Sequence, residues 1–173
     1  MLRLKGKLIE LAEPDENGYL HVKNIWEDEE TMRDVGGTYP INHGRYKIWY
    51  DKMFVAGKDR NAYFLIYENG SGACVGEVSF HDLNSKTGAA MFNVKIRYAY
   101  RGRGYGRESV ELMLKYFFEK RQGQVMRDLL WAGNPAGLRM LLKYGFREVE
   151  RSEKGILIEI RKEQWEKARR NEE

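Results

Sequence analysis

The sequence has 173 residues, with 30 Lys and Arg against 26 Asp and Glu, a formal net charge of +4 and 42% hydrophobic residues. Aromatic and β-branched residues are too plentiful for disorder throughout, three Pro without a glycine period exclude a collagen-like chain, and the length suits one domain over residues 1–173. Cys74 is the only cysteine, which excludes an intramolecular disulfide and a Cys-rich zinc site, and no metal is expected. The opening residues lack the apolar run of a signal peptide, and no stretch approaches the ~20 apolar residues of a membrane span. The expectation is a cytoplasmic protein without membrane contact. So mild a charge permits polyanionic ligands but does not call for nucleic acid.

In chain order, residues 2–11 read as a strand. Pro14-Asp-Glu opens a helix whose apolar face is Tyr19, Val22, Ile25 and Trp26. Gly36-Gly37 breaks the chain, and a second helix covers about 43–56, with Tyr46, Trp49, Tyr50 and Met53 at helical spacing. Three strand-like runs follow, Ala62–Tyr67, Ala73–His81 and Ala89–Ile96, joined by hairpin turns at Glu68–Gly72 and Asn84–Gly88. Val110, Met113, Leu114 and Phe117 form the inward face of a helix. Val125–Ala132 is a strand. Asn134-Pro135 supplies an N-cap and a first-turn proline to a helix that Gly145 ends. Phe146–Glu150 and Gly155–Arg161 close the pattern as a pair of strands, before a charged tail over about 162–173. This order describes a mixed α/β sheet in one domain.

Three of the 18 glycines fall within Arg101-Gly-Arg-Gly-Tyr-Gly-Arg107, between a strand and an amphipathic helix. Glycines let the backbone approach a ligand closely, and a helix N-terminus offers free N–H groups and a favourable dipole to an anion. A phosphate or pyrophosphate is the natural guest. The dinucleotide pattern G-x-G-x-x-G fails because Arg107 holds the third glycine's place, and no P-loop pattern is present. A plain glycine-rich turn into a helix is the simpler alternative. The segment also superficially resembles an RGG element for RNA, but it occurs once and inside a strand–helix junction, so no nucleic-acid partner is expected.

Arg101-x-x-Gly104-x-Gly106 resembles the [QR]-x-x-G-x-[GA] signature of the GNAT N-acetyltransferases. Asn134-Pro-Ala-Gly-Leu-Arg-Met-Leu-Leu-Lys-Tyr-Gly-Phe146 is similar to that family's second segment, and the element order agrees over nearly the whole chain. The opening and the Trp26-Glu-Asp-Glu region look most like the branch related to ribosomal-protein and diamine acetyltransferases. The resemblance implies a single-domain GNAT-like α/β fold, with a mixed, mostly antiparallel central sheet, a splayed pair of strands and helices on both faces. It implies acetyl-CoA as acyl donor and a primary amine, of a small molecule or a protein N-terminus, as acceptor. Val94, Lys95 and Ile96 would pair with pantetheine like an added strand. Arg101, Gly102, Arg103, Gly104, Tyr105, Gly106 and Arg107 would hold the pyrophosphate. Asn134 would reach the pantetheine arm, although capping alone also explains it. A homodimer is an open expectation.

Acyl transfer to an amine needs a neutral nucleophile, a polarised thioester carbonyl and a protonated or stabilised leaving thiolate. Where many family members carry a basic Glu this sequence has Met91, and where many carry an acidic Tyr it has Leu141. Neither side chain transfers a proton. Substitutes within the chain are Glu77 or His81 as base and Tyr144 as a displaced acid. Glu77, Ser79 and His81 alternate on one strand face, with Val78, Phe80 and Cys74 assigned to the other. The competing readings are a solvated strand face for Glu77 and His81 and core packing for Tyr144. His21 and His43 fall near the helices expected to wall the acceptor site. Cys74 reads as core rather than nucleophile. Asp15, Glu16 and Glu27-Asp-Glu-Glu30 would suit a polyamine acceptor or form a solvated face. The missing Glu and Tyr also admit a binding protein of the same fold that senses acyl-CoA without turnover.

Overall fold

A computed structural model describes residues 1–171. Strands β1 (Arg3–Lys5), β2 (Ile9–Ala12), β3 (Ala62–Glu68), β4 (Cys74–His81), β5 (Ala89–Ile96), β6 (Val125–Leu130), β7 (Arg147–Ser152) and β8 (Gly155–Arg161) form one sheet in the order β1-β2-β3-β4-β5-β6-β8-β7. Every neighbouring pair is antiparallel except β5 and β6. The helices are α1 (Tyr19–Trp26), α2 (Glu29–Met32), α3 (His43–Tyr50), α4 (Tyr105–Lys115), α5 (Pro135–Lys143) and α6 (Lys162–Arg170).

β3 shows why the sheet is covered on both faces. Its residues Ala62–Ile66 are all buried because alternate residues serve different cores. Phe64 and Ile66 join Val78, Phe80 and Phe92 beneath Val110, Met113, Leu114 and Phe117. Tyr63 and Leu65 pack on the other side with Tyr19, Val22 and Ile25 of α1 and Tyr46 of α3. The α4 stripe is therefore the core-facing stripe expected from its spacing.

Several boundaries differ from those that periodicity suggests. Residues 2–11 are not one strand: the chain reverses at Gly6–Leu8, where the Glu108 carboxylate accepts from the N–H groups of Lys7, Leu8 and Ile9 at 2.8, 2.8 and 2.9 Å. α1 starts at Tyr19 rather than at Pro14, because Pro14–Gly18 are spent on a turn. The Asp15 carboxylate accepts from the Asn17 N–H at 2.8 Å, and the Asp15 carbonyl accepts from the Gly18 N–H at 3.0 Å, before the helix begins. α3 ends at Tyr50, and Asp51–Ala56 continue as wider π-helical turns. The strand expected to reach Ala132 stops at Leu130. The charged tail is a helix over Lys162–Arg170, docked by buried Trp165, whose ring lies 5.1 Å from that of Phe118; residues 172 and 173 fall outside the described residues.

Candidate active site

β5 and β6 pair only at Ala89–Val125, Ala90–Met126 and Met91–Arg127. Beyond Met91 they part, while β5 stays paired with β4 as far as Ile96 and β6 stays paired with β8 as far as Leu130. The two strands thus open a V inside an otherwise continuous sheet. A cavity of about 530 Å³ occupies it, walled by Asn93–Ile96, by Asp128–Trp131, by the turn into α4 and by α5. Backbone groups of β5 that face this gap have no strand partner, the arrangement that accepts an extended ligand as an added strand.

The glycine turn lies at the mouth of the V. Gly104 caps α4 with φ +86°, a left-handed conformation that glycine adopts without strain. Gly106 sits where an added Cβ would lie 3.3 Å from Met140 Sδ and 3.4 Å from Ile96 Cγ1, so the first turn of α4 is packed closely against β5 and α5. Gly102, Gly104, Tyr105, Gly106 and Arg107 all border the cavity. The buried Tyr105 directs its hydroxyl to the Glu68 carboxylate, fastening the turn to the end of β3.

The flanking arginines divide their work. Arg101 borders the cavity and is tied into the protein by three hydrogen bonds: Nε donates to Ile96 O at 3.1 Å, Nη1 to Asp34 at 2.9 Å and Nη2 to Thr31 O at 3.1 Å. It braces the glycine turn against α2, and it already uses the Ile96 carbonyl. Arg103 donates to Ala99 O at 3.3 Å and lies over the Tyr100 ring. Arg107 borders the cavity directly. Asn134 caps α5, accepting from the Gly137 N–H at 3.0 Å, and also borders the cavity.

The expected proton-transfer residues fall in different places. Glu77 is 3% exposed, so the solvated-face reading is overturned for it: α1 and α3 cover that side of β4. Its carboxylate accepts from Trp26 Nε1 at 2.8 Å, from the Tyr63 hydroxyl and from Lys95 Nζ at 2.5 Å. This places Glu77 behind Lys95, which borders the cavity, rather than in the cavity wall. His81 is at the other end of β4, exposed, with Nδ1 2.8 Å from Asp82. Tyr144 follows the last turn of α5, half-buried and packed on the core; burial and the neighbouring Glu111 push its phenol well up. Neither His81 nor Tyr144 borders the cavity. Met91 forms the last paired position of the V, and Leu141, 1% exposed, lies in the cavity wall.

Cys74 corrects a facing assignment. The β3–β4 register jumps from Tyr67–Cys74 to Ile66–Gly76, a bulge that skips Val75. Cys74 consequently shares the Tyr63 and Leu65 side with Glu77, and burial pushes its thiol up to about 11. A buried thiol of that kind is a poor nucleophile.

On the acceptor side, part of the acidic run is engaged locally, while Glu29 is exposed. Glu27 pairs with Lys23 at 2.5 Å and accepts from the Ile41 N–H at 3.0 Å, Asp28 binds the Thr31 hydroxyl, and Glu30 lies 3.8 Å from Arg33. His43 stacks on Tyr19 with ring centroids 3.9 Å apart, and His21 meets the Tyr67 ring edge-on.

One ionisable group in the cavity wall has no motif to announce it. Asp128 lies within Val125-Met-Arg-Asp-Leu-Leu130, on the inward phase with buried Met126 and Leu130. It is 7% exposed, and burial pushes its carboxyl up to about 7 against the opposing charge of Lys95 and the N–H of Leu129. The signal available from sequence was an acid at an inward position of an apolar strand.

Comparison with known proteins agrees with this architecture. The family model described as an acetyltransferase (GNAT) domain matches residues 8–147, and the chain belongs to that family. A curated relative, the SPbeta prophage-derived uncharacterized N-acetyltransferase YokL of Bacillus subtilis, is 21% identical over 120 residues, which is 69% of this chain and 66% of that protein, just under two thirds of its length. Among solved structures, the spermidine N-acetyltransferase from Vibrio cholerae in complex with CoA and spermine superposes with a TM-score of 0.81 at 14% identity, covering 91% of this chain and 98% of that one. A putative ribosomal-protein-serine acetyltransferase from Vibrio cholerae gives a TM-score of 0.74 at 13% identity, covering 92% and 97%. These likenesses establish the fold.

Proposed function

We propose that this protein transfers the acetyl group of acetyl-CoA directly to the primary amine of a small molecule or a protein N-terminus. The observation that carries the reading is the V between β5 and β6, with a glycine-rich helix N-terminus at its mouth and a cavity of about 530 Å³ along it. The fit to CoA is chemical as well as steric. The backbone groups of Val94, which face away from β4 into the gap, suit the amides of pantetheine, and the N–H groups opening α4, together with Arg107, suit a pyrophosphate. Arg101 holds that turn in place from the border of the cavity. When bound, acetyl-CoA supplies an activated acyl group. The protein's part is to align the amine with it, to present backbone N–H groups to the thioester oxygen and to exclude water, which together account for much of the acceleration in reactions of this type.

The structural neighbours named above include a spermidine N-acetyltransferase and a putative ribosomal-protein-serine acetyltransferase, so polyamines and protein amines are both candidate acceptor classes. Of that acidic segment Glu27 is the member held by a close ion pair, whereas Glu29 and Glu30 are exposed and would be the charges open to a polyamine. A CoA-release screen over polyamines, aminoglycosides, amino acids and N-terminal peptides, with acetyl-CoA binding measured in parallel by calorimetry, tests the reading. Turnover with one acceptor class supports it. Binding without turnover across the panel replaces it with an acyl-CoA sensor, which Met91 and Leu141 motivate. Failure to bind acetyl-CoA refutes both.

A further inference from the structure

We propose that Asp128 is a catalytic residue of this acetyl transfer, moving the proton from the attacking amine to the departing thiolate. The inference rests on the acetyltransferase reading and supplies the group that Met91 and Leu141 cannot.

Its position carries the assignment. The last paired couple of the V is Met91–Arg127, so Asp128 is the first residue of β6 past the point where the strands part. Alternation directs it inward with Met126 and Leu130, toward the side where Leu141 of α5 closes the cavity. An extended arm lying along β5 with its phosphate end at α4 runs its reactive end toward this vertex. The carboxyl borders the cavity and has no side-chain hydrogen-bond partner among the described residues, so it is not spent in a structural pair as Glu77 is. A buried acid without a side-chain partner is costly to keep for packing alone and calls for a task.

Its environment suits that task. Burial pushes the carboxyl up to about 7, where ionised and protonated forms are both populated near neutral pH. The charged groups around it come from each neighbouring element. Lys95 on β5, itself paired with Glu77, favours the ionised form. Arg107 on α4 and the Arg101–Asp34 pair border the same cavity at its mouth. α5 contributes Met140 and Leu141, and β8 contributes Ile158 opposite Asp128, none of which carries charge.

The step balances within these groups. As the amine nitrogen bonds to the thioester carbonyl carbon, the ionised Asp128 takes the proton that nitrogen gives up. The carbon–sulfur bond breaks with its electron pair on sulfur. Asp128 then returns the proton to that sulfur, leaving an amide, free CoA thiol and an ionised carboxylate.

The experiment compares wild type with Asp128→Asn and Asp128→Ser, using the acceptor found in the CoA-release screen, together with acetyl-CoA calorimetry and a carboxyl-carbon NMR titration of Asp-labelled protein. Expected are a kcat loss of at least about 100-fold with KM and acetyl-CoA affinity within about threefold, a wild-type kcat that rises with pH through an apparent pKa near 7 and a pH-flat residual rate in Asp128→Asn. The NMR titration is expected to show one carboxyl titrating near 7 that Asp128→Asn removes. If both variants fold poorly, the wild-type rate profile and NMR titration decide. Variants that keep more than a tenth of wild-type kcat, or a wild-type rate independent of pH between about 5.5 and 8.5, overturn the assignment while leaving the acetyltransferase reading intact. A wild type that binds acetyl-CoA and acetylates nothing in the panel overturns both.

Discussion

Glu77→Leu is expected to destabilise the protein severely. The carboxylate lies 3% exposed beneath α1 and satisfies three donors: the Lys95 ammonium at 2.5 Å, the Trp26 indole at 2.8 Å and the Tyr63 hydroxyl. Removing it leaves Lys95, whose side chain is 13% exposed, with Asn93 Oδ1 at 2.9 Å as its remaining side-chain acceptor. Stranding one member of a buried pair costs about 3–5 kcal/mol. The two orphaned neutral donors place the loss at the upper end of that range. For a domain of this size each kcal/mol lowers Tm by roughly 2–4 °C, so the fall is about 10–20 °C. Urea titration supplies the free energy, with an unchanged slope showing that the native fold is retained. The double variant Glu77→Leu/Lys95→Met should regain most of the loss, because replacing both partners with apolar groups removes the stranded charge. A single-variant loss below about 1 kcal/mol, or a double variant as unstable as the sum of the two singles, would refute this account of the cluster.

Gly106→Val should raise the acetyl-CoA dissociation constant at least about tenfold, equivalent to ~1.4 kcal/mol, because its added carbon points between Met140 and Ile96 at 3.3–3.4 Å; unchanged affinity by calorimetry would remove the α4 turn from the cofactor site. Gly104→Val is the less clean probe, since φ +86° adds ~1–2 kcal/mol of backbone strain. Glu108→Ala orphans the N–H groups of Lys7, Leu8 and Ile9 and should cost about 1–3 kcal/mol, read as a lower urea midpoint and faster hydrogen exchange at those three amides. Asp128 holds its proton more tightly folded than unfolded, so the stability it confers is present below its ordinary 3.8 and is lost as pH rises through about 7. Asp128→Asn should therefore flatten the pH dependence of stability and gain up to ~4 kcal/mol on wild type at pH 8; parallel curves for the two proteins would contradict the burial of that carboxyl. Leu141→Tyr should keep acetyl transfer while losing about 1–3 kcal/mol to overpacking, measured by CoA release and thermal unfolding.

The elements legible in the sequence were those whose signal is local. The three strands at 62–96 and their two turns, the α4 stripe, the Asn134 cap and the terminal hairpin follow from alternation, helical spacing and turn chemistry. What depended on distant residues was not. Alternation placed Glu77 on one strand face, but only the packing of α1 and α3 decides that the face is buried. The Cys74 assignment failed because a one-residue bulge reverses alternation, and nothing in Ala73–Gly76 announces it. Arg101 looked like a ligand for phosphate, yet its partners Asp34 and Thr31 stand some 67–70 residues away in the chain. Asp128 was hidden for the opposite reason: one acid in an apolar strand gives no pattern until the neighbouring strand is seen to leave it.

Most sheets keep their unpaired backbone at the margins, whereas here the parting of β5 from β6 puts two edges in the interior. Such edges are templates for any extended chain, including that of another unfolded or partly opened molecule. A ligand that lies between them acts as a temporary strand and closes the sheet. Its binding energy then adds to folding stability, by about 2.7 kcal/mol at a hundredfold excess over Kd. On the proposed function, protein kept with CoA should accordingly resist aggregation and proteolysis better than protein kept alone, which would tie the lifetime of the molecule to the supply of its ligand.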